Sequence, residues 1–386
     1  MKVIVNSPIN ENLWGIALNR WVKKKFSSKK YQYLLKELFI AGANSDIEVA
    51  VYLNRKGNIL AYFVFLFWMH INGFQKKNIK LVCDFRKIDN YDYMLTTARS
   101  LLSNERYIGL RDRKKVKIIA HLSHYMNSTS EKAKIASLIK PDYYIAENNL
   151  KKNSDYFNKY FKDYNRDVYV LPFVPQERFN NLKEFSKRKN KCVALGSLSI
   201  FPKETQMLKD FFSFFGVDTY HPMRKELFYK KDVVENEIDV FINHRIDSDG
   251  NIPKNQNYYA MDIVKLYNDY KIVIVPEEAN NLPSIGFVEA MACGCVIVGL
   301  DSPIYREIGM IPEHHFIAYN GTIIDLKSKI QFYQLNKDKL EEIANNSYRL
   351  VQNSFQPKTV AERFFCDLEN AQNNKTLKSS FVIIDD

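Results

Sequence analysis

The sequence predicts an α/β protein made of two Rossmann-like domains. Three observations lead there. The chain has 386 residues, 46% of them hydrophobic, which is long for one domain and enough for two cores. Short β-branched apolar runs alternate with amphipathic stretches, the pattern of parallel strands joined by crossover helices. That alternation is interrupted by Pro172, Pro175 and a Lys- and Arg-rich run ending at Lys191, a composition that reads as an exposed hinge. The expected domains are 1–173 and 192–356, with a linker over 174–191 and a last helix and tail over 357–386.

In the first domain, strands are expected at 3–6, 47–53, 79–84, 116–121, 143–147 and 168–171. Helices are expected between them at 13–26, 31–40, 91–102, 131–139 and 154–164. The apolar run at 59–69 is too short to span a bilayer. It reads as a buried helix or strand, with a membrane-dipping helix as the sharper alternative. Trp14 and Trp21 precede Lys23, Lys24 and Lys25. Lysines at a solvated helix end and a surface meeting anionic headgroups are both compatible with that pattern.

The second domain opens with a strand at 192–195, then Gly196-Ser197, a loop carrying Lys203, and a helix that Gly216 ends. A strand at 240–243 and a helix at 257–270 follow. The segment 271–300 organises the rest. Residues 271–276 form a buried strand, 277–283 a polar loop, 285–293 a short helix, and 295–300 a second buried strand. Ser284 stands where an N-cap belongs and Gly294 where a left-handed residue ends a helix. The loop lies at the carboxyl end of a strand, where open α/β sheets bind ligands. Gly286 presents no side chain to an anion, and the carboxylate of Glu289 can accept two hydrogen bonds from a diol such as a ribose. Geometry alone leaves an ordinary crossover unit with a solvated Glu289 equally open. Beyond Leu300, a turn, a strand at 316–319 and helices at 324–333, 337–353 and 359–372 are expected, with a loosely held tail.

The run from Ser284 to Val298, Ser-Ile-Gly-Phe-Val-Glu-Ala-Met-Ala-Cys-Gly-Cys-Val-Ile-Val, resembles the donor-site motif of GT-B glycosyltransferases, most nearly that of family 4 (glycosyltransferase group 1). The resemblance implies two Rossmann-like domains facing across a cleft, with the last helix crossing back to the first domain. It puts Glu289 on the ribose of a nucleotide sugar. The family's second glutamate, eight positions earlier, is Asn281 here. The order strand–Gly196–loop–Lys203–helix resembles the unit in which a basic residue neutralises the donor diphosphate, although Ser197 stands where the family often has arginine. His121, ending a strand of the first domain, resembles a histidine that contacts sugar or acceptor. The implied donor site is Gly196, Lys203, Asn281, Ser284, Ile285, Gly286, Phe287 and Glu289, with His121 and Glu289 as catalytic residues. Asp84 and Glu147 are weaker acid–base candidates at strand ends of the first domain.

The implied reaction moves a sugar from a UDP- or GDP-linked donor to a saccharide or lipid-linked acceptor, as in bacterial surface polysaccharide synthesis. It is expected to be retaining and metal-independent, with no cofactor beyond the nucleotide sugar. A nucleotide-sugar epimerase and a non-catalytic binding scaffold share the same plan and remain alternatives. The net charge of +12 is compatible with nucleic acid, an anionic membrane surface or acidic substrates. No zinc-finger, RNP or basic-zipper pattern supports the first. Five scattered cysteines without a disulfide rhythm, and no signal peptide before the first strand, point to the reducing cytoplasm. Peripheral attachment at the inner face of the cell membrane is the open variant.

Overall fold

The structure, a computed structural model, describes residues 1–6, 32–44, 47–52, 79–97, 101–102, 105–122, 125–201, 206–244, 261–374 and 376–382, together with Phe63, Phe67 and His70. The expected helix at 13–26, with its tryptophans and lysines, lies outside these residues, as does most of the apolar run 59–69. Where that run is described it is helical, and Phe63 and Phe67 are exposed rather than buried.

The chain divides into two units: Met1–Leu171 with Ala361–Ser380, and Pro172–Val360 with Phe381–Asp386. The stretch 174–191 is grouped with the second unit; much of 177–187 is exposed, as expected, while its end enters β8. Its basic residue Arg188 is buried, donating to the carbonyls of Lys183 and Cys293 at 2.8 and 2.7 Å and to Asn181 Oδ1 at 2.6 Å. A guanidinium fixed by that many acceptors is an internal buttress.

The first unit carries a seven-stranded sheet. Its strands are β1 (Lys2–Asn6), β2 (Glu48–Tyr52), β3 (Ile79–Val82), β4 (Tyr93–Thr97), β5 (Lys117–His121), β6 (Tyr143–Ala146) and β7 (Tyr169–Val170). Their order is β3-β2-β1-β4-β5-β6-β7 and every pairing is parallel. Ile4 sits opposite Ala50 on one side and Met94 on the other. β4 corrects the helix expected at 91–102. Tyr93, Met94 and Leu95 are all at most 1% exposed. A strand covered on both faces shows no polar alternation, so its period does not separate it from a buried helix. The slot between β1 and β5 decides the matter.

The helix Pro357–Asn374 closes this unit with its later turns. Tyr93 Oη donates to the Leu368 carbonyl at 3.0 Å, and Tyr169 Oη to Asp367 at 2.7 Å. The tail is held rather than loose: Ser379 Oγ donates to Val170 O at 2.8 Å and Ser380 N to Asp367 at 2.9 Å.

The second unit has five parallel strands: β8 (Lys189–Leu198), β9 (Ile238–His244), β10 (Tyr270–Ile274), β11 (Val296–Leu300) and β12 (Ile317–Tyr319). They lie in the order β12-β11-β10-β8-β9. Cys192, Ala194, Ile272, Ile274, Val296, Val298 and Ile317 fill the core beneath the helices. β9 lies to one side of β8 and the later strands to the other, so the winding reverses between β8 and β10. Gly216, at φ 67°, ends the helix Lys209–Phe215 as the sequence requires. The helix Pro222–Tyr229 had not been expected. The helix expected at 257–270 runs over Ile263–Asp269 among the described residues.

Candidate functional site

In open α/β sheets, ligands bind beyond the carboxyl ends of the strands where the winding reverses. In the second unit that place is the exit of β8 beside the exit of β10. Gly196, near the end of β8, has φ 145°, a conformation that side chains resist. A Cβ there would lie 2.6 Å from the guanidinium of Arg224, so glycine is required twice over. Arg224 stands on the helix Pro222–Tyr229, is 7% exposed, and donates Nη1 to the Ser197 carbonyl at 2.8 Å. His221, just ahead of this helix, has Nδ1 3.4 Å from the Glu277 carbonyl at the exit of β10. Burial, with the nearby Arg224 charge, holds its pKa well below the ordinary histidine value, so the imidazole is neutral at pH 7. Ala279 N donates to the Tyr220 carbonyl at 2.7 Å. Residues 220–224 thus bridge the two strand exits.

The loop after β10 is anchored from below by Glu277. Its buried carboxylate accepts from Leu300 N and Tyr305 Oη, both at 2.7 Å, and from Tyr319 Oη at 3.5 Å. Burial raises its pKa above the ordinary glutamate value. Glu278 N donates to the Leu282 carbonyl at 2.9 Å and Asn281 N to the Glu278 carbonyl at 2.8 Å, closing a tight turn. Asn281 is exposed within it at φ 60°. Asparagine enters that left-handed region far more readily than glutamate does, which suits asparagine to this position.

The short helix expected after Pro283 spans Gly286–Ala292. Ser284 does not cap it. Ile285 precedes it in a helical conformation, no side chain caps the end, and the Ser284 carbonyl accepts from Phe287 N at 3.1 Å. The missing side chain of Gly286 serves packing, because a Cβ would meet Tyr267 Oη and Val275 at 3.1 Å. The Phe287 side chain is also a core element, edge-on to Phe173 and Tyr305 at centroid distances of 6.3 and 5.7 Å. What the tip leaves partly open is Ser284 and Ile285. Glu289 follows in the first turn, 7% exposed. Gly294 takes the left-handed conformation expected of it, φ 76°.

Gly196, Asn281, Ser284, Ile285, Gly286, Phe287 and Glu289 all belong to the second unit. Lys203 lies outside the described residues. His121 belongs to the first unit, at the end of β5 and 2% exposed. Glu147 and Asn148, just past β6, are buried with Oε1 and Oδ1 accepting no hydrogen bond among the described residues. Sequence reasoning missed His221 and Arg224. The available signal was His221-Pro222, since proline is favoured in a helix's first turn. Among the described residues, no group of three or more His, Cys, Asp or Glu could hold a metal ion, and no helix is long and apolar enough to cross a membrane.

Residues 222–365 match a family model described as glycosyl transferase-like. The chain has the GT-B fold. Anabaena HepE, solved with UDP and glucose, aligns over 96% of this chain and 100% of its own at 14% identity and a TM-score of 0.52. The same protein with UDP-glucose gives 16% identity, the same coverage and a TM-score of 0.51. Sucrose-phosphate synthase from Thermosynechococcus elongatus aligns over 97% of this chain and 100% of its own, at 10% identity and a TM-score of 0.53. No curated protein matches the chain. The glycosyl transferase-like region contains Arg224, the loop after β10 and Glu289, while β8 with Gly196 and Ser197 lies ahead of it.

Proposed function

We propose that this GT-B protein is a glycosyltransferase whose second unit binds a nucleoside-diphosphate sugar at the β8–β10 switch point. The observation that carries this reading is that the glycosyl transferase-like match includes the β10 side of that point, from Arg224 through the loop after β10 to Glu289. In the proposed site, the Glu289 carboxylate accepts hydrogen bonds from the two hydroxyls of the pentose. The leaving diphosphate needs positive charge in a partly dehydrated place as the glycosidic bond breaks. The half-buried Ser284 and Ile285 and the exposed Asn281 are the loop positions proposed to face the sugar. HepE was solved with UDP and UDP-glucose, which favours a uridine donor as the first to try.

The fuller proposal keeps His121 as the contact to sugar or acceptor and Lys203 as a diphosphate contact. It assigns retaining, metal-independent transfer to a saccharide or lipid-linked acceptor at the cytoplasmic face of the membrane, in surface polysaccharide assembly. These parts rest on the resemblance around Glu289. A thermal-shift screen of UDP, GDP and their sugars tests the core of it, because a ligand bound only by the native state raises the melting temperature. UDP or GDP should do so and the corresponding nucleoside less. If no nucleoside diphosphate shifts the transition, the proposal fails. A new sugar isomer formed from donor without acceptor would mark an epimerase instead.

A further inference from the structure

We propose that Arg224, on the helix Pro222–Tyr229, is a cation that meets the donor diphosphate, in addition to the contact proposed for Lys203 in the loop after β8. This rests on the nucleotide-sugar reading of the second unit. The first ground is position. The guanidinium lies against the backbone of Gly196 and Ser197, at the reversal of the sheet where ligands approach. The second is fit. Gly196 leaves a space that any side chain would fill, and the guanidinium takes it up at 2.6 Å from where a Cβ would stand. The third is orientation. A guanidinium carries five N–H donors in one plane, and the 2.8 Å bond to the Ser197 carbonyl fixes that plane at the strand exit.

The chemistry favours an anion with several oxygens. Arginine matches phosphate with parallel N–H donors, and a largely dehydrated cation attracts it more strongly than one in water. Arg224 is 7% exposed, which meets that condition while leaving it within reach of solvent. At the loop position after Gly196 there is only the hydroxyl of Ser197. The neighbouring ring, His221, brings no second charge because it is held neutral. Segment 220–224 also spans to the β10 exit through the Ala279–Tyr220 hydrogen bond. Arg224 is thereby fixed relative to the loop that leads to Glu289, which is proposed to hold the pentose.

The test titrates UDP, uridine and inorganic pyrophosphate into the whole chain by calorimetry, with Arg224→Gln and Arg224→Lys beside the wild type; GDP and guanosine replace the uridine pair if the wild type prefers them. Arg224→Gln should weaken diphosphate and pyrophosphate binding about ten- to a hundredfold and leave nucleoside binding unchanged. Arg224→Lys should recover part of the loss. Equal diphosphate affinity in Arg224→Gln overturns the assignment and leaves the glycosyltransferase reading intact. A parallel loss of nucleoside affinity also overturns it, by showing a role in folding. A wild type that binds neither UDP nor GDP removes the underlying reading and this inference with it. Should Arg224→Gln fail to fold, a crystal structure of the wild type with UDP decides. Phosphate oxygens within hydrogen-bond distance of the Arg224 guanidinium sustain the proposal, and a diphosphate seated elsewhere overturns it.

Discussion

Gly196 and Glu289 show how unevenly single residues announce themselves. Glu289 stands out in the sequence because its helix carries a run of residues that resembles a known donor-site motif, and its role there is part of the proposal. Gly196 was legible as a glycine after a strand, but its matching Arg224 lies 28 residues further on, and nothing local in the sequence connects the two. The contact is purely tertiary. Phe287 failed in the opposite sense: a residue inside the motif turned its ring toward Phe173 and Tyr305. In a folded Glu289→Ala variant, donor affinity should fall by about 1.5–3 kcal/mol, the usual worth of hydrogen bonds to a charged group. Calorimetry with the wild-type ligand checks this, and unchanged binding would take Glu289 out of the site. Gly196→Ala combines an unfavourable φ with a collision at the guanidinium. It should destabilise the fold by about 1–3 kcal/mol in denaturant unfolding.

At the scale of elements, the loop after β10 is held less by its own turn than by the carboxylate beneath it. Glu277 links the exit of β10 to β11 through Leu300 N, and to Tyr305 and Tyr319 beyond. Glu277→Ala leaves three donors facing an apolar gap, and the unfolding free energy should drop by about 3 kcal/mol. Burial raises the Glu277 pKa, so in the folded state the group binds its proton more tightly than in the unfolded chain. Its contribution to stability must therefore decline as the pH rises from the unfolded pKa through the folded one. Glu277→Gln should flatten that part of the stability–pH curve, as urea unfolding at a series of pH values would show. The strands of the second unit were readable because each is a short apolar run set off by glycine, proline or charge. β4 was not readable, since a run buried on both faces carries no period. Ser284 offered the right chemistry for a cap, but Ile285 had already entered the helix, and a cap is set by backbone angles as much as by side chain.

The two-unit plan of the whole molecule was visible in the alternation of strand and helix, while the exact division was not. Composition marked 174–191 as a hinge because lysine and arginine are usually exposed. Arg188 is the exception, buried among carbonyl oxygens that sequence cannot foresee. The return of the closing helix to the first unit was expected from resemblance alone, and its anchorage is now specific. Asp367 accepts from Tyr169 Oη and Ser380 N. Asp367→Ala should destabilise the first unit by about 2 kcal/mol and leave UDP affinity in the second unchanged, a split that melting and calorimetry on the same sample would reveal.

That anchorage bears on how the protein is made. The first 171 residues do not complete the unit they begin, because residues 361–380 belong to it as well. All of residues 172–360 must leave the ribosome first, about 10–40 s at ordinary translation rates. Through that interval the Tyr93 and Tyr169 hydroxyls have no Leu368 or Asp367 to receive them, and the nascent sheet waits with one flank uncovered, a window in which chaperones would have most to hold.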